Sequence, residues 1–179
     1  MNRRIIYVLF IVTFGTGLFL GSLPIKKEKT ITNLSFSQKL ASDSKRVSIT
    51  KILVNNLIVA SLMAVGSITY GLIGLVMVFH NGYIISLFFV SFMETYGFRS
   101  AFLLLAPHGT IELVWLFILF KTSIILGDRL FSFLNNKIEI NQILSREIKL
   151  NYLISLILVF VSGLIETFAS KNIALYFNN

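Results

Sequence analysis

Cysteine is absent from the chain, which excludes a disulfide, a thiolate nucleophile and a cysteine-ligated metal. Histidine is scarce. His80 and His108 are the only two, too few for a zinc centre built on three or more protein ligands, and no His-Glu-x-x-His helix occurs. Neither a Gly-x-Ser-x-Gly elbow nor a phosphate-binding loop is present. Charge is also thin, at 13% of residues. Glu112 with Glu94 or Glu166 is a poor acid and base pair, because the other two are predicted near membrane boundaries. No catalytic residue, metal or cofactor is expected.

What fills the chain instead is hydrocarbon. Of 179 residues, 55% are hydrophobic and the mean hydropathy is +0.82, well above an ordinary soluble domain. No charge occurs from Ile5 to Ile25, from Ile52 to Met93 or from Leu150 to Ile165, and Glu112 is the only one from Ser100 to Phe120. A hydrocarbon core of about 30 Å takes about 20 residues of helix, so these windows hold five crossings. Strands are excluded because "IIYVLFIVTFGTGLFLG" and "LISLILVFVSGLI" are apolar on every side, whereas a barrel alternates. Backbone amides in lipid must bond within their own segment, which selects helix.

The fold class is therefore all-α: a polytopic transmembrane bundle in one domain, 1–179. Its helices are expected at about 5–23, 50–68, 71–93, 99–126 and 149–169. The opening "MNRR" with its apolar run reads as an uncleaved first helix, since a cut after Gly21 puts Phe19 where a small residue is needed. Gly17 and Gly21 form a GxxxG step, and Gly71 and Gly74 likewise suit close helix contacts. The polar connection 22–51 carries seven Lys or Arg and six Ser and is a docking strip at most, around "FSQKLASDSKR". Inside the window from Ile52 to Met93 the chain must turn, and "GSITYGLIG" is the best place. The connector 127–148 puts Ile140, Ile143, Leu144 and Ile148 on one helical face, as in a helix lying on the membrane surface or packed on the bundle.

The stretches "NNLIVASLMAVGSITYGLIGLVMVFHNG" and "APHGTIELVWLFI" together resemble the stage II sporulation protein M family of bacterial membrane proteins. The matching elements are Asn55 and Asn56, Asn81 and Gly82, and above all the pattern Pro107, His108, Gly109, Glu112, Leu113. The similarity spans roughly residues 1–170. At the next two positions the family often has proline and alanine, where this chain has Val114 and Trp115. The resemblance implies a five-helix integral membrane protein without known enzymatic activity. Such proteins work with peptidoglycan-degrading partners in engulfment during sporulation, while shorter relatives lie beside genes for circular antimicrobial peptides, where export or immunity is proposed.

The polar residues inside these apolar runs form the candidate site: Pro107, His108, Gly109 and Glu112, with Asn55, Asn56, His80 and Asn81 from the two preceding crossings. Proline has no amide to donate, so Pro107 is expected to start a new helical piece after a break at Pro107–Gly109, at mid-depth. His108 and Glu112 are four apart and share a face, so the imidazole is placed to bond the carboxylate. A lone charge at depth costs about 2.5 to 3.5 kcal/mol on insertion scales, so Glu112 is expected to face the bundle, paired, hydrated or protonated. The set reads either as a satisfied polar knot that fixes helix register or as a conduction or proton-relay site.

Two functions follow. One is a non-enzymatic subunit of an envelope assembly, recruiting wall hydrolases. The alternative is a permease-like subunit for peptide export or immunity, working with a separate ABC-type ATPase. The net charge of +8 lies in "KKEK", "SKR" and "SREIK", which suits the lipid bilayer and its anionic headgroups and not nucleic acid. The expected location is the bacterial cell membrane, with the N-terminus cytoplasmic because "MNRR" flanks the first helix. A homo-oligomer is compatible with all of this.

Overall fold

The computed structural model describes residues 3–23 and 49–176. Within them, the side chains of Arg3, Ile49, Thr95, Tyr96, Leu104, His108 and residues 169–176 lie outside the description. Most of the predicted polar connection, including its docking strip, also falls outside the described residues. Every regular element described is helical. In order they are α1 (Arg3–Ser22), α2 (Ile49–Val65), a 3₁₀ turn (Gly66–Thr69), α3 (Leu72–Tyr96), α4 (Phe98–Leu134), the single turn α5 (Ile140–Ile143) and α6 (Arg146–Tyr176). Five of them are long and apolar enough to cross a membrane: α1, α2, α3, α4 and α6.

Each long helix runs opposite to the one before it. The contacts show this. Gly71 and Gly74 at the start of α3 lie against Ile124 and Phe120 of α4, while Phe89 near the end of α3 meets Phe98 at the start of α4. Asn151 of α6 reaches Thr122 of α4, and Gly163 of α6 sits on Leu53 of α2. One end of the bundle therefore holds the start of α1, the turn at Gly66–Gly71 and the α4–α6 connection. The other holds the end of α1, the start of α2, Gly97 and the end of α6.

The turn between α2 and α3 is tight because its own side chains close it. Thr69 donates its hydroxyl to the Gly66 carbonyl (2.9 Å) and accepts the Ile73 amide (3.3 Å), so one threonine joins the end of α2 to the first turn of α3. Tyr70 (φ 51°) and Gly71 (φ 82°) occupy the left-handed region, which glycine enters without a Cβ penalty. A single residue, Gly97 at φ 81°, separates α3 from α4.

Helix α1 packs most extensively on α3, and the two run parallel. A Cβ on Gly17 would collide with the Phe79 carbonyl oxygen, one on Gly21 with that of Tyr83, and one on Gly82 with that of Phe14 (2.6 Å). The GxxxG step thus meets a glycine on the facing helix, and backbone touches backbone. Above this contact Phe10 packs edge-on to Phe117 (5.1 Å between centroids), tying α1 to α4. The centre of the bundle is fully buried at Met63, Val78, Trp115, Leu116, Phe120 and Val159.

Two expectations are corrected here. Helix α4 continues through Pro107–Gly109 for 37 residues, so the break foreseen there is a missing hydrogen bond to the Leu103 carbonyl, not an interruption of the helix. The segment 127–148 is not one surface helix either. Helix α4 extends to Leu134, Asn136 takes a left-handed φ of 54°, and α5 is one turn closed by a capping box between Glu139 and Gln142. Of the four residues assigned to one face, Ile148 is fully buried in α6 while Ile140 is 71% exposed. The two asparagines and the short loop favour a reversal over a continuous helix. The Arg129 guanidinium donates to the Gln142 carbonyl and holds this projecting hairpin together.

Gly17→Ala is expected to destabilise the bundle by about 1 to 3 kcal/mol, since a backbone carbonyl has little room to move aside. Gly15→Ala, whose Cβ would meet nothing within 4 Å, is the control and should be neutral. Thermal unfolding of the detergent-purified chain compares them, and equal midpoints would refute the contact.

Candidate functional site

The polar groups of the interior line up along the seam between α4 and α6. On α4 they are Glu112, Trp115 and Thr122, and on α6 Asn151, Ser155, Ser162 and Glu166. Residues three, four or seven apart share a helix face, so the two stripes face each other along antiparallel helices. The lower part of the seam is well joined. Asn151 donates to the Thr122 hydroxyl (3.1 Å), which donates in turn to the Ile118 carbonyl (2.7 Å). One turn further out, Lys121 pairs with Glu147 at 3.4 Å, with both side chains partly exposed. Ser123 and Ser162 satisfy their hydroxyls on carbonyls of their own helices.

The other end of the seam is different in kind. Glu112 lies within electrostatic range of Glu166, and it accepts no hydrogen bond among the described residues. It sits about 12 residues, hence about 18 Å, along α4 from Ile124, where α4 meets Gly71. Phe98, beside Gly97 at the other end of the bundle, is about 14 residues, hence about 21 Å, in the opposite direction, so Glu112 lies near the middle of the crossing. Between this pair of carboxylates and the joined part of the seam lie Trp115, Leu116 and Val159, all fully buried. The indole Nε1 of Trp115 has no hydrogen-bond partner among the described residues.

The residues singled out by sequence are spread more widely than one cluster. Asn56 is buried at 6% exposure and Asn81 is half-buried, but Asn55 and His80 are exposed. Asn81 spends its amide on the Met77 carbonyl of its own helix (2.9 Å). No hydrogen bond joins any two of these side chains among those described. The pairing of His108 with Glu112 falls on an imidazole outside the described set. Pro107 is exposed, and a Cβ on Gly109 would meet nothing within 4 Å. Thr110 is exposed too, with its hydroxyl turned back to the Ala106 carbonyl (2.7 Å). Among the described residues no group of three or more potential metal ligands assembles.

Glu166 as the neighbour of Glu112, and the Asn151–Thr122 bond, were missed by the sequence reading. A signal for them exists. Positions 151, 155, 162 and 166 of the last crossing repeat at intervals of four and seven, as do 108, 112, 115 and 122 in the fourth at three, four and seven. A polar stripe at that spacing marks one helix face, but an apolar composition hides it from hydropathy.

Like charges within electrostatic range of each other oppose the packing of the helices that carry them. Glu112→Gln removes that repulsion and keeps the shape, so the thermal midpoint of the purified chain should hold or rise. A clear fall would show that the charge itself supports the fold. Asn151→Ala should cost about 0.6 to 1.7 kcal/mol, the range for a hydrogen bond between membrane helices, read by the same unfolding measurement.

No curated protein and no solved structure matches the chain. The family model for "Stage II sporulation protein M" matches residues 6–171, nearly its whole length and including both helices of the seam. Taken with five apolar helices able to span a bilayer, that match makes this chain a multi-pass membrane protein belonging to the stage II sporulation protein M family.

Proposed function

We propose that the chain is a non-enzymatic membrane subunit of a bacterial envelope assembly, which holds peptidoglycan-remodelling partners at the cell membrane. The observation that carries this reading is the outward position of Pro107 and Gly109 in the family's motif. Pro107, Gly109 and Thr110 lie on α4 with little of the described residues against them. A glycine costs a helix about 1 kcal/mol relative to alanine, and Gly109 does not repay it by admitting a neighbour among the described residues. Its small size suits close approach by another protein. The buried layer of Trp115, Leu116 and Val159 across the seam also fits a packed scaffold better than a conduit. The N-terminus is placed in the cytoplasm in this reading, with the hairpin held by Arg129 on the same side.

A second reading has one observation in its favour. Glu112 and Glu166, within electrostatic range of each other, are ionisable groups within membrane spans, which commonly mark transport paths. A permease-like subunit for antimicrobial peptide export or immunity, served by a separate ATPase, accounts for them.

Photo-crosslinking from Thr110 in native membranes separates the two. Capture of a wall hydrolase is expected. Capture of an ATPase or a peptide precursor favours the second reading. Gly109→Leu should leave the thermal midpoint of the chain within about 0.5 kcal/mol, as for a surface substitution, and still abolish the crosslink. Retained capture in that variant would remove the motif from the interface.

A further inference from the structure

The hairpin that joins α4 to α6 begins where the rest of the bundle stops. Gly127 packs on the Ser67 carbonyl, in the turn between α2 and α3. From there α4 runs on to Leu134, about seven residues or about 10 Å past the turn. The projection is braced. Tyr70 packs edge-on to Phe131 (5.7 Å between centroids), and the Asn135 side chain donates to the Phe131 carbonyl (2.8 Å). Arg129 ties this outgoing arm to Gln142 on the return. Even so, Phe131, Leu134, Ile140 and Leu144 are each between 50% and 75% exposed.

Depth says what these side chains meet. Gly17 touches Phe79 and Tyr83, and Gly82 touches Phe14, so on these parallel helices Arg4 lies level with the turn between α2 and α3. At that level an exposed charge, Arg4, replaces exposed hydrocarbon such as Ile68 and Leu72, which marks the edge of the membrane core. The headgroup layer adds about 5 to 7 Å on each side of a core about 30 Å thick. Phe131, about four residues or about 6 Å past Gly127, falls inside that layer, and Leu134 reaches its outer edge.

The charges have one sign left over. Glu139 is engaged in the capping box of α5, and Glu147 pairs with Lys121. Lys137, Arg146 and Lys149 are exposed and have no acidic partner among the described residues. We propose that the hairpin, residues 128–146, is an interfacial anchor for anionic phospholipid. Its four apolar side chains rest at the acyl boundary while Lys137, Arg146 and Lys149 meet lipid phosphates. A protein would have to bring acidic groups to these three cations, whereas a phosphate layer is already at their depth. The anchor fixes the depth of α4 and α6, the two helices of the seam, and it is independent of the function proposed above.

The chain has no cysteine, so Leu134→Cys and Ile140→Cys each give a single site for a bimane fluorophore. Gly15→Cys, on the exposed face of α1, gives a reference inside the membrane. The full-length chain is placed in nanodiscs that contain phosphatidylglycerol or phosphatidylcholine with the same spin label. The relative affinity read from quenching at positions 134 and 140 should favour the anionic lipid about fivefold or more, the value of one cation at an anionic surface. Replacing Lys137, Arg146 and Lys149 together by Gln should bring that ratio to about one. Salt at 1 M should do the same without any variant, since it cuts the screening length to about 3 Å. Equal quenching by the two lipids, the same preference at Gly15, or a fluorophore open to aqueous iodide in both bilayers overturns the proposal. Shielding found only in native membranes overturns it too, and gives the hairpin to a protein partner.

Discussion

Inside a bilayer, two apolar helices gain almost nothing by hiding their side chains from lipid, so whatever holds them together must come from shape and from hydrogen bonds. In this chain the decisive shape is glycine against carbonyl. Gly17 and Gly21 on α1 and Gly82 on α3 let two backbones touch, and Gly127 on α4 does the same against the Ser67 carbonyl in the turn between α2 and α3. With α1 clamped to α3 and the turn clamped to α4, the aromatic residues Phe10, Phe117 and Phe120 fill the space left between. The α4–α6 seam supplies what glycine does not, a line of polar contacts that sets register.

The seam has two unlike halves. Towards the start of α6, Asn151, Thr122, Lys121 and Glu147 answer one another. Beyond the apolar layer at Trp115, Glu112 lies within electrostatic range of Glu166. The second half lies near Pro107 and Gly109 on the outer face of α4. Both proposed functions draw on it, one through the exposed face of α4 and the other through the carboxylates.

How much of this was legible in the sequence depended on which physical signal each residue carries. Uncharged windows revealed a helical membrane bundle, because the length of an apolar run is set by bilayer thickness. The Pro-His-Gly pattern with Glu112 gave the family. Pro107 misled, because proline weakens a helix without having to end it, and the helix here absorbs it. The segment 127–148 misled for another reason: apolar spacing matched one helical face, but Asn135 and Asn136 turned the chain before that face could form. Glu166 lay at the edge of a window and was read as interfacial. Its relation to Glu112 depends on which helices are neighbours, and that is a property of packing, not of any single segment.

The parallel course of α1 and α3 carries a consequence for biogenesis. Neighbouring crossings can zip together as hairpins while they leave the ribosome, but the first helix has its main partner two crossings later. About 65 residues separate Gly17 from Gly82, so at a synthesis rate of roughly 5 to 20 residues per second the first helix waits roughly 3 to 13 s in lipid. During that interval its glycine face is bare, and its retention rests on hydrophobic length alone.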